Sequence, residues 1–126
     1  MINNAQKIIA HLLTKTSVTN LLGDRIFLGA PKDVPINNYL VLNVISDNID
    51  NVTEKRGRIE FRFIGGNENI TYNSLNEAYL AVMAEMKVRD IGDFKPHKII
   101  TSQFFMDFDA NKRRFILQDL IFHYTY

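Results

Sequence analysis

The 126-residue sequence contains no cysteine. That absence removes disulfides, thiolate nucleophiles and sulfur-ligated zinc together, and it fits a reducing compartment. No stretch approaches the roughly 18 apolar residues that a membrane-spanning helix needs, so no membrane partner is expected. The opening residues, Met1 through Lys7, lack the basic-then-apolar order of a secretion signal, so export is not expected either. An excess of one charge is also missing. A net charge of +1 gives no global attraction to nucleic acid.

The usual catalytic and ligand-binding signatures are missing as well. His11, His97 and His123 are far apart in sequence, and none has a second ligand at metal-binding spacing, so no metal is expected. Asp107, Asp109 and Asn111 begin like a calcium loop. The sixth position, where a sharp turn needs Gly, is Lys112, and the twelfth, where a bidentate Glu is needed, is Gln118. Asp and Asn in that stretch are read instead as hairpin-turn residues. Gly65, Gly66 and Asn67 are too short a run for a phosphate cradle, and no Gly-x-Ser-x-Gly elbow exists. The carboxylates Asp90 and Asp93 fall in a loop, where solvation is the ordinary fate of charge. No catalytic residue and no cofactor is expected.

What is present is the make-up of one soluble domain spanning residues 1–126. Hydrophobic residues form 46% of the chain and charged residues 23%. A chain of this length can bury roughly two-thirds of the surface it exposes when unfolded. Ala5, Ile8, Ile9, Leu12 and Leu13 form one helical stripe, predicting a helix over 4–15. Ser17 can cap a short helix over 18–22, with Gly23 as its stop. Residues 25–28 read as a short strand, and 29–38, with Pro31 and Pro35, as a loop. Residues 39–46 are β-branched and nearly continuously apolar, predicting a strand covered on both faces. The polar stretch 47–55 is expected to be an exposed loop.

Strict alternation follows. Ile59, Phe61 and Phe63 point one way and Arg58, Glu60 and Arg62 the other. Leu75, Ala78, Tyr79, Val82, Met83 and Met86 then recur at the spacing of an amphipathic helix. Ser74 and Glu77 have capping-box spacing, although the first turn can also begin nearer Thr71. Residues 91–96 read as a loop, and 97–108 and 113–126 as strands joined by a turn at 109–112. The fold class is therefore α+β. A small antiparallel or mixed sheet of four to five strands packs on an N-terminal helix and a longer amphipathic one. The last strand spreads Leu117, Leu120, Ile121, Phe122, Tyr124 and Tyr126 over both sheet faces. Either the sheet coils around its helix or another subunit covers the second face.

Two basic clusters stand out: Lys55, Arg56, Arg58 and Arg62, then Lys112, Arg113 and Arg114. With Glu60 between Arg58 and Arg62, that strand face is mixed in sign, which suits cross-strand ion pairs. The aromatic residues of the same strand point away from the arginines, which disfavours base stacking.

Taken in order, these pieces resemble the bacteriophage tail-terminator, or tail-completion, proteins, including the lambda-like ones. An N-terminal helix leads through 18–27 by a short turn and Gly23 into a strand. A Pro-bearing loop precedes the strand at 39–45. The arginine-flanked strand 58–64 is followed by the helix 73–86, and an aromatic hairpin closes the chain. Residues 47–55 and the Asn-rich entry to that helix have no place in the pattern.

The resemblance implies a hexameric ring on the tail tube that halts tube polymerisation and joins the tail to the head. It implies three partners: other copies of the chain, the major tail-tube protein and a head-completion or connector protein. DNA would pass through the lumen only as cargo. The location implied is the head-proximal end of the tail in the virion, reached from the host cytoplasm during assembly. The candidate subunit or tube interface is Leu120, Phe122 and Tyr124 on the last strand, with Arg58, Arg62, Arg113 and Arg114 on a charged edge. Another neck or connector protein, or a small monomeric binding module, remains an alternative reading.

Overall fold

A computed structural model describes residues 2–49, 54–87, 90–91 and 94–125. The elements run α1 (Ile2–Leu13), α2 (Thr16–Leu22), β1 (Ile26–Leu28), β2 (Tyr39–Ile49), β3 (Glu54–Ile64), α3 (Tyr72–Met86), β4 (Lys98–Phe108) and β5 (Arg114–Thr125). The five strands form one mixed sheet in the order β1-β2-β3-β5-β4. Only β1 and β2 are parallel, with Ile26 beside Leu40; the other pairings are antiparallel.

Strand alternation divides the sheet into two unlike faces. Leu40, Leu42, Ile59, Phe61, Phe63, Ile116, Leu120 and Phe122 share the inner face. They form one core with Ala5, Ile8 and Leu12 of α1, Val18 and Leu22 of α2, and Leu75, Ala78, Val82 and Met86 of α3. The helical stripes expected from spacing are therefore the ones that face the sheet, although Leu13 at the end of the first stripe is exposed. Tyr39 and Val41 are buried on the opposite face, and Pro31 and Val34 of loop 29–38 line the same hollow beside them. That gives the start of β2 cover on both sides, whereas Ile45 further along is half exposed.

Local signals set the element ends. Gly23 closes α2 at φ 58°, and its N–H donates to the Thr19 carbonyl. Thr71 caps α3, its side chain accepting from the Ser74 N–H at 3.2 Å. Ser74 is thus inside the first turn, and its hydroxyl accepts from Asn38 Nδ2 instead. The start of α2 also differs from expectation. Its N-cap is Lys15, without a side-chain bond, so Ser17 is already helical. The largest difference is at 47–55. β2 continues to Ile49 and β3 begins at Glu54, with Ile49 paired to Lys55, so most of the expected loop is ladder. Backbone pairing outweighs the polar composition there; residues 50–53 lie outside the described residues.

The turn between β4 and β5 is built as its composition suggested. The Asp109 carboxylate accepts from the N–H groups of Asn111 and Arg113 at 2.8 and 2.9 Å. Lys112 takes the left-handed conformation, φ 62°, that closes the hairpin.

Candidate functional site

Among the described residues, the outer face of the sheet carries no helix, and it gathers most of the charged candidates. Cross-strand register places Arg58, Glu60 and Arg62 of β3 beside Leu117, Asp119 and Ile121 of β5. Phe105 and Ile100 of β4 continue the same face. Glu60 and Asp119 are direct cross-strand partners, an unfavourable placement for two carboxylates unless cations flank them. Both are flanked. Arg58 forms a short ion pair with the buried Asp119, its Nε lying 2.9 Å from Oδ2. Arg62 reaches Glu60 at 3.3 Å, and Asn43 Nδ2 donates to the same Glu60 oxygen. Cross-strand ion pairs were the sequence expectation for this face; Arg58–Asp119 is one, while Arg62–Glu60 lies within β3.

The arginines nevertheless divide differently from the expected charged edge. Arg113 stays on the outer side, where its charge favours the ionised form of Tyr39; burial is the larger effect and holds that phenol above its ordinary pKa. Arg114, one residue on, points to the inner side. It donates to the carbonyls of Glu68 and Ile70 at 3.1 and 2.8 Å and lies over the rings of Tyr72 and Phe108. Its role is to hold the entry to α3 against the hairpin. Aromatic neighbours of the outer arginines do exist, contributed by other strands: the Arg62 guanidinium lies 5.5 Å from the Phe115 ring, which packs against Phe105. Alternation within β3 alone could not reveal them.

The last-strand candidates need a correction. Leu120 and Phe122 are fully enclosed and Tyr124 nearly so, on the inner face. Phe94 meets Phe122 and Tyr124 edge-to-face at 5.6 and 5.3 Å. These side chains are covered by their own chain, because Ile91 and Phe94 join the core beneath the sheet, a placement that strand periodicity does not encode. A cluster of exposed apolar side chains lies instead on β4: Phe104, Phe105, Met106 and Phe108 are each about half exposed. The sequence reading singled out none of them. The sequence shows Phe104, Phe105, Met106 and Phe108 as an apolar cluster, but not that their strand is the sheet's long edge.

A bulge in β4 between Thr101 and Phe104 keeps both ends of that strand in register with β5. Gln118, buried on the inner face, spans it. Its Nε2 donates to the Gln103 carbonyl at 2.8 Å, and its Oε1 accepts from the Tyr79 hydroxyl at 2.9 Å. Burial raises the Tyr79 pKa. Between α3 and β4 lies a cavity of about 500 Å3, lined by residues that include Leu80, Met83, Ile99 and Thr101. The histidines expected to be scattered are not all apart: His97 and His123 lie with ring centroids 6.2 Å apart, while His11 sits 4.0 Å from Glu85. Among the described residues, no group of three or more His, Asp or Glu side chains converges as a metal site would. Asp93 is outside them.

No family model matches the chain, and no curated protein matches it. Its fold is similar to that of a chain in the solved virion of a native gene transfer agent particle. The TM-score is 0.72 at 12% identity, with 97% of this chain and 94% of that chain covered. At that identity the likeness is one of fold, and it extends over nearly all of both chains.

Proposed function

We propose that this chain is a structural subunit of a phage-like virion. It assembles as a ring on the end of the tail tube, stops tube polymerisation and offers the head-joining surface. The observation that carries this reading is the near end-to-end correspondence of fold with a chain of the gene transfer agent virion. The bare outer face of the sheet adds support. It mixes Phe105, Ile121 and Leu117 with Arg58, Arg62 and Arg113, the kind of surface that a neighbouring protein covers. Those three arginines are assigned to the subunit or tube interface. Other copies of the chain, the tube protein and a head-completion protein are its partners, and DNA crosses the lumen as cargo. The chain is assigned no catalytic step.

Light scattering on a sizing column, with and without the polymerising tube protein of the same particle, tests this reading. A hexamer, alone or induced by the tube, is the expected result. A strict monomer in both conditions would overturn it.

A further inference from the structure

Ile36, 75% exposed, is the most exposed large apolar side chain among the described residues. Its backbone, by contrast, is held tightly. Asn67 Nδ2 donates to the Ile36 carbonyl at 2.7 Å. Gly66 lies so close that a Cβ there would press into the backbone of Pro35, Ile36 and Asn37. Pro35 fixes its own φ. Val34, half exposed, stands two residues before Ile36. The loop thus presents a small apolar knob on a pre-ordered backbone, which lowers the entropy lost when it is bound.

The opposite side of the sheet carries a hole of matching character. The cavity between α3 and β4 is lined by Tyr79, Leu80, Met83 and Ile99, with Leu120 as a further lining residue. Leu80 is 57% exposed at its rim. Met83 gives the wall an adaptable thioether. Charge agrees with shape: Asp33 immediately precedes Val34, and Lys87 lines the cavity. Knob and hole lie in different parts of the fold: residues 35–37 pack on Gly66 just beyond the end of β3, whereas the cavity is lined by the second half of α3 and by Ile99 and Thr101 of β4. One copy cannot bring them together, but successive copies can. A contact between two unlike patches is head-to-tail, the kind that closes a ring when the rotation permits.

We infer that residues 34–36 of one copy seat in the α3–β4 cavity of the next, with Asp33 facing Lys87. The contact rests on the ring reading above and names the surfaces that make the ring. Because the chain has no cysteine, a double variant Ile36→Cys/Leu80→Cys can be trapped without background. The assembled state, verified by light scattering alone or on the tube protein, is treated with a short bis-maleimide. A ladder of covalent multimers on a denaturing gel is expected from the double variant and not from either single one. Assembly without a ladder would overturn the contact and leave the ring standing. A chain monomeric in every condition would remove both.

As a second readout, Ile36→Asp should weaken assembly by about tenfold or more, with an unchanged melting curve. Leu13→Asp, at an exposed position of α1, should not. Equal assembly by both variants would also overturn the contact.

Discussion

Asp119 illustrates how much one neighbour decides at the scale of a single residue. It is 3% exposed on a sheet face without helices, and its cross-strand partner is another carboxylate, Glu60. Arg58 is what makes its burial tolerable, since an unpaired buried charge is strongly unfavourable. Arg58→Met should therefore lower the unfolding free energy in urea by ~3 kcal/mol. Adding Asp119→Leu should recover most of that loss, because removing both charges leaves nothing to desolvate. A double variant as unstable as the single one would show that packing, rather than the orphaned carboxylate, sets the effect. The tyrosines give a second residue-scale test. Burial raises the pKa of Tyr39 and Tyr79 above the ordinary value. Above the unfolded pKa of about 10, the folded chain retains phenol protons that the unfolded chain has released. Stability is thus full below that pH and falls as pH rises through the higher folded values. Ultraviolet titration should show part of the tyrosinate signal appearing late, together with unfolding.

Among the elements, β5 and the entry to α3 carry the most consequence. Phe122 is enclosed by Phe94 and the sheet, so Phe122→Ala should destabilise the chain by ~3–5 kcal/mol in denaturant, whatever its state of assembly. A well-folded Phe122→Ala variant that failed only to assemble would return that residue to the interface. Arg114→Met should weaken the α3 entry by ~1 kcal/mol, chiefly through the part-buried Ile70 carbonyl left without its donor. Its signature would be faster hydrogen exchange at the start of α3 than at its end. The positions of these elements were legible in the sequence wherever period and capping agreed. The stripe from Leu75 to Met86, the alternation from Arg58 to Phe63 and the turn at Asp109 each specify structure by short-range rules. Which face a residue serves depends on strands far away in the chain. Arg113 and Arg114 look alike in sequence, yet one meets Tyr39 and the other Tyr72. For the same reason the apolar edge of β4 was invisible. Edge or centre is decided by strand order, which no local pattern in 98–108 states.

For the whole molecule, the sheet order has a consequence in time. β4 is made before β5, yet β5 lies between β3 and β4. A nascent chain that has reached Phe108 holds two 11-residue strands, β3 and β4, each missing the partner strand that will join them. During that interval both strands present unpaired ladder edges, the kind of surface that pairs with other chains. Insertion of β5 closes both edges at once. Completion of the sheet is thereby a single late step, and a chain truncated at the 109–112 turn should be prone to aggregate through those two open edges.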